Sequence, residues 1–453
     1  MINSTIKLDK CETPTFMLDG GETYDPISCL SSGRCRPLKK IPKSKAKLLV
    51  ISPTQVQSNE SQTLQKLLSV LKEGMTGVKI KQWKGFHEIF NVELELEFKS
   101  YDVDTEGSYV KSLLPILSSS HSEGYDLVVI YMPEHTRSRI GGPYFKVKAY
   151  SIVNKIKEQI IIKSTLDKFD KYRRQADHLK CNDLIWNLAL SIFTKLGGVP
   201  WKPKQSMSPV DVFLAVSTVM KPGVLGGKHR AGFATLQMYN NWGEYESSVY
   251  GKLLFTKENG VALDIADEES KDKFIQLIST IATKVEGKNV VVHLTDLYSK
   301  DFHKLLYEAL VRKGASNVKI IRIQLTSPLR LYMDIEVKRA SQAWPEVGAY
   351  WFLEKKIAQL YTTGKWRYYT HRPPYAIPKH TIRPVQVSLE YPDDLELSKN
   401  DLRDILWLTK LYPYMIDAPR ARKPIDLTLS HRYAKIVASD ENIGVPEDVT
   451  FLY

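Results

Sequence analysis

Over the first half of the chain, apolar residues come in short blocks separated by stretches of helical periodicity. Lys47–Ser52 (KLLVIS) and Asp126–Tyr131 (DLVVIY) are continuous apolar runs of strand length, the pattern of strands covered on both faces. Val92–Phe98 (VELELEF) alternates instead and predicts a strand with one solvated side, and Gln159–Lys163 (QIIIK) predicts a further strand. Helical spacing occupies Leu64–Leu71, Tyr144–Lys155 and a long stretch Lys168–Leu196, which Gly197-Gly198-Val199-Pro200 ends as a glycine cap followed by proline should. Strands separated by helices predict an α/β domain of about 140 residues.

A second series begins after that cap. Strand Val212–Ser217 (VFLAVS) is followed by an alternating aromatic segment, Leu236–Leu254, that reads as paired strands. Then come helix Asp272–Val285, strand Asn289–Leu294, helix Asp301–Lys313 and strand Val318–Leu325, with late helices at Lys399–Leu411 and near His431–Ser439. Several strands first, then strands alternating with helices, fit a mixed sheet of the RNase H type, although periodicity leaves other α/β folds open. Residues 1–44 are irregular, with turn-forming Asp19-Gly20-Gly21 and with Pro37 and Pro42, and read as an ordered arm. The expected division is an arm at 1–44, a first domain at 45–190 and a second at 191–453.

Composition narrows the class. The chain has 453 residues, 43% hydrophobic and 25% charged, which excludes an entirely unstructured chain. Leu184–Trp201 is the nearest approach to a membrane span and is broken by Asn187 and Lys195, and the N-terminus lacks the apolar core of a secretory signal. No membrane insertion is expected, and the expected location is the cytoplasm. The cysteines Cys11, Cys29, Cys35 and Cys181 lack zinc-site spacing and are expected as buried free thiols. Phosphate-loop, dinucleotide, zincin and nucleophile-elbow motifs are absent; the paired glycines read as turns.

Charge is the more telling quantity. Lys and Arg number 64 against 51 Asp and Glu, a surplus of +13. Residues 31–50 carry Arg34, Arg36, Lys39, Lys40, Lys43, Lys45 and Lys47 with no acid, and Lys365–Arg383 interleaves basic residues with Trp366, Tyr368, Tyr369 and Tyr375. Such segments suit phosphate contact and base stacking, and point to a nucleic-acid partner.

The most informative stretch opens at Gly141-Gly142-Pro143. Tyr144 and Lys148 are spaced to share one helix face just after a proline-initiated N-terminus. A phosphate there would meet a ring, an ammonium and backbone donors. An ordinary amphipathic helix gives the same spacing.

The run Tyr144-x3-Lys148-x10-Gln159, followed downstream by Lys195-Leu196-Gly197-Gly198-Val199-Pro200-Trp201, resembles the 5′-phosphate pocket and the MID–PIWI junction of Argonaute proteins, especially short prokaryotic ones. The resemblance covers about residues 45–453. It implies an α/β fold with a Rossmann-like MID domain followed by an RNase H-like PIWI domain. It further implies that Tyr144 stacks on the first guide base while Lys148, Gln159 and Lys195 hold its 5′-phosphate. The Tyr453 carboxylate would share a structural Mg²⁺ with that phosphate.

The same resemblance places Ser217, Thr295 and Lys435 where active members carry metal-binding residues. A serine and a threonine are weak ligands and an ammonium repels a cation, so no catalytic metal and no cleavage are expected. Asp296, next to Thr295, would face the other side of its strand, and Asp211 reads as a strand-start residue. His293 reads as a core histidine. The implied function is binding of a short 5′-phosphorylated guide, taken as RNA, and of a complementary target, taken as DNA. An APAZ-like partner with an effector would give the output in defence against plasmids or viruses. Two alternatives stay open: a nuclease with rearranged ligands, and a protein scaffold that binds no guide.

Overall fold

The computed structural model describes residues 8–54, 58–77, 82–102, 108–132, 140–207, 209–220, 229–258, 261–325, 327, 329, 345–364, 382–411 and 422–440. These divide into two compact units, one of Phe16–Lys202 with the segment from Lys435 onward, the other of the residues before Phe16 with Pro203–Ala434.

The first unit is built on a four-stranded sheet in the order Glu93–Tyr101, Lys45–Pro53, Leu127–Met132, Glu158–Ile162, with every neighbouring pair parallel. The two central strands bury Leu48, Leu49, Val50 and Ile51 and all of Leu127–Met132, which is why they read as unbroken apolar runs. The edge strand keeps its acids outside, hence its alternation. The single helix expected at Lys168–Leu196 is two, Lys163–Arg174 and His178–Lys195. Ala176 breaks it at a positive φ of 50°, and the Asp177 side chain accepts the Lys180 N–H to start the next helix. Trp83 fills the space between elements, edge-on to Trp186 at 4.8 Å between ring centres.

The arm is more regular than its composition suggested. Asp25 caps a helix, Pro26–Ser32, that closes at Gly33, and Lys39 exchanges both backbone hydrogen bonds with Val199 at 2.9 Å. Cys29 and Cys35 form a disulfide, which corrects the expectation of free thiols at these positions. The six-residue separation across one short helix places them within bridging distance. Cys11 and Cys181 are free and buried.

The second unit carries a ten-stranded sheet. At its centre Val212–Met220 lies between antiparallel His229–Asn240 and parallel Asn289–Leu294; Tyr245–Glu258 extends one side and parallel Asn317–Gln324 the other. An antiparallel meander continued by parallel strands on the far side of the first strand is the RNase H arrangement. The period-2 rule then sorts side chains between faces. Val212, Leu214 and Val216 pack with Phe274, Ile278, Phe302 and Leu306 of the helices Glu268–Ala282 and Lys300–Arg312. Their odd-numbered neighbours, Ala215 and Ser217, face the other side, which the helix Ile425–Val437 covers.

Helix Lys399–Leu411 buries Asp404, whose carboxyl is pushed up to about 7 by burial, against the lowering pull of Arg403. The unfolded carboxyl ionises near 3.8, so between about pH 4 and pH 7 only the unfolded chain loses this proton, and the group's contribution to stability falls as pH rises. Asp404→Asn should therefore flatten the decline in melting temperature between pH 5 and pH 8; an unchanged slope would show that Asp404 ionises normally.

Candidate nucleic-acid interface

The helix Pro143–Val153 starts with Pro143 in its first turn and has no acid there, so its positive end is uncompensated by the helix's own side chains. Gly141 precedes it at φ 82° and donates its N–H to Ser439 Oγ at 2.8 Å, which anchors the helix entry. Tyr144 is only 3% exposed, its ring edge-on to Phe145 at 5.2 Å. One turn on, Lys148 is buried, with Nζ 2.5 Å from Glu158 Oε1; their side chains are 1% and 0% exposed. Glu158 opens the strand whose next residue is Gln159.

Gln159 is held from the other helix. Its Oε1 accepts from Lys195 Nζ at 2.7 Å and from Ser191 Oγ at 2.6 Å. Ser191 and Lys195 are one turn apart at the end of His178–Lys195, so both reach the same acceptor. The structure thus brings Gln159 and Lys195 into contact, and joins Lys148 to the same strand through Glu158. Sequence reasoning passed over Glu158 and Ser191. The signals were present: an acid opening a buried strand, and a serine four residues before Lys195.

The Lys195–Trp201 string has a structural use of its own. Gly197, at φ 95°, and Gly198 close the helix through N–H bonds to Thr194 and Phe193 carbonyls, and Trp201 packs edge-on to Phe16. A Cβ on Gly198 would lie 2.3 Å from the Phe193 ring, which is stacked on Phe90 at 4.2 Å. Gly198→Ala should therefore destabilise the first unit by about 1–3 kcal/mol and weaken phosphate binding through Lys195. Urea unfolding with paired binding curves checks this, and wild-type values in both would refute it.

In the second unit, Ser217 is fully buried, and its hydroxyl has no hydrogen-bond partner among the described residues. The pairings His293 with Ala215 and Leu294 with Val216 carry Thr295 to a position beside Ser217. The same face holds a polar seam. His293 Nδ1 lies 2.6 Å from Asp426 Oδ2, and Thr235 Oγ1 is 3.1 Å from Ser430 Oγ. His293 is accordingly a buried core histidine, and Asp426 and Ser430 fix the helix Ile425–Val437, whose last turn carries half-buried Lys435.

Asp296 is used elsewhere. Its carboxyl is raised by burial, against the lowering effects of Lys423 and of a hydrogen bond from the Thr218 backbone, and Thr218 Oγ1 is 2.6 Å from the Tyr298 hydroxyl. Asp211 Oδ2 accepts the Asn289 N–H at 2.9 Å, tying two strand starts together. Among the described residues no group of three His, Cys, Asp or Glu is placed to hold a metal, and no helix is long and apolar enough to cross a membrane.

Part of the basic arm is neutralised: Lys43 pairs with Asp126, Lys45 with Glu93 and Glu95, and Lys47 with Glu97. Arg34, Arg36, Lys39 and Lys40 are exposed and enter none of the ion pairs among the described residues. The Tyr453 carboxylate and most of the aromatic-basic segment Lys365–Arg383, including Thr370–Pro374, lie outside the described residues.

A parallel α/β unit together with an RNase H-like unit defines an Argonaute-like MID–PIWI fold. The chain is similar to Clostridium butyricum Argonaute, solved bound to a guide DNA and a 19-mer target DNA, with a TM-score of 0.67, 19% identity, and coverage of 98% of this chain and 54% of that one. It is similar also to Aquifex aeolicus Argonaute with externally bound siRNA (TM-score 0.60, 17% identity, 98% and 56% covered) and to Drosophila Piwi (0.60, 13%, 98% and 56%). The chain spans about half the length of these structures. No protein-family model matches the sequence, and no curated protein matches it.

Proposed function

We propose that this protein binds a short 5′-phosphorylated guide, RNA in the first instance, and uses it to capture a complementary strand, DNA in the first instance, without cutting it. The observation that carries this reading is the convergence of Lys195 and Gln159, with Lys148 one residue away along the strand, beside a helix whose N-terminus favours anions. Tyr144 would meet the first base once its ring is uncovered by loading. Arg34, Arg36, Lys39 and Lys40 supply exposed charge for the phosphate backbone. Sequence choice then resides in base pairing, as in other RNA-guided systems.

Lack of cleavage rests on the chemistry of Ser217, Thr295 and Lys435, which offer no carboxylate to a divalent cation. Asp296 does not replace them, because its carboxylate is engaged by Thr218. At the guide end, the Glu158 carboxylate beside the phosphate site is held by Lys148, so the described residues do not themselves build a Mg²⁺ site. We therefore derive no step through that ion. Output would come from an APAZ-like partner and its effector in cytoplasmic defence against plasmids or viruses.

Guide-loaded protein incubated with labelled complementary target and Mg²⁺ or Mn²⁺ should retain the target intact on a filter and on a denaturing gel. Guide-directed cleavage that Asp296→Ala abolishes would establish the rearranged nuclease instead.

A further inference from the structure

Lys148 already has a resident anion. Glu158 lies against it with both side chains at most 1% exposed, and the Glu158 carboxylate oxygens find no donor in hydrogen-bond geometry among the described residues. A carboxylate so placed depends on the ammonium for its stability in the interior, since neither water nor a hydrogen-bond network solvates it. Gln159 differs: its carbonyl is neutral and is shared by Lys195 and Ser191, so an arriving phosphate meets no like charge there.

We infer that Glu158 is a specificity-setting counter-anion of the guide pocket, one that the incoming 5′-phosphate must share or displace at Lys148. This rests on the 5′-phosphate reading of the pocket. Of the charges on Lys148, Lys195 and Glu158, one positive charge is left in excess, and Lys195 carries it. Guide loading is then an anion exchange at Lys148 and a net attraction at Lys195. The pocket's preference for a phosphorylated end is held below what two lysines would give. Glu158 touches the phosphate site through its charge and through Lys148, so it acts as a positioning residue for that ammonium.

The test measures affinity of the full-length protein for synthetic RNA of guide length bearing either a 5′-phosphate or a 5′-hydroxyl, and takes the ratio of the two dissociation constants. Glu158→Gln removes the competing charge and should raise the preference for phosphate at least about tenfold. Glu158→Asp withdraws the carboxylate by one methylene while leaving the buried pair neutral overall. It should raise the preference by a smaller factor, and it serves as the readout if thermal melting shows Glu158→Gln unfolded. A preference unchanged or lowered in the folded variant would overturn the inference. The 5′-phosphate reading fails separately, if wild-type protein itself does not distinguish the two ends.

Discussion

Lys195→Met should lower affinity for a 5′-phosphorylated guide by about ten- to a hundredfold, with a much smaller loss for the same guide ending in a hydroxyl. Methionine nearly conserves the volume of a side chain that is 2% exposed, so packing of the last helical turn is kept. Gln159 Oε1 keeps its bond from Ser191 and is not left bare. What disappears is a charge-assisted hydrogen bond in a buried setting, worth about 1.5–3 kcal/mol, which corresponds to the stated range. Direct titration with both guide ends checks this. Equal losses for the two ends would mean that Lys195 supports the fold and does not read the phosphate.

The second large effect concerns stability. Asp426→Ala should destabilise the second unit by about 3–5 kcal/mol, because it leaves His293 buried without its carboxylate partner. The helix Ile425–Val437 would lose one of its two polar attachments to the sheet, the other being Ser430 with Thr235. Asp426→Asn, which still offers an acceptor, should cost clearly less. Denaturant unfolding of the two variants gives the comparison, and near-equal losses would mean that the acceptor's charge, and not the hydrogen bond, holds the helix.

Much of the architecture was legible because strand burial writes itself into the sequence. KLLVIS and DLVVIY are unbroken because they lie in the middle of a parallel sheet, and VELELEF alternates because it lies at the edge. The helix break at Ala176 was hidden, since no glycine or proline marks it and the positive φ is imposed where one helix hands over to the next. Helix Phe86–Phe90 and the arm helix Pro26–Ser32 were too short for periodicity to register. The disulfide was passed over because six-residue spacing alone does not show that two cysteines face each other.

In the pocket, the sequence named Lys148, Gln159 and Lys195, but not the partners that decide their charge state as a group. Glu158 and Ser191 enter only through three-dimensional contact. In the second unit, the strand register aligned Ser217 with Thr295, whereas the seam of His293, Asp426, Thr235 and Ser430 behind them required the helix to be in place.

The central claim, guided binding of nucleic acid, is tested most directly by sequencing the nucleic acids that co-purify with the protein under mild salt, with the chemistry of their 5′ ends determined. The account predicts a discrete population of short strands bearing 5′-phosphates. Protein free of nucleic acid, or carrying fragments of random length and mixed ends, would contradict it.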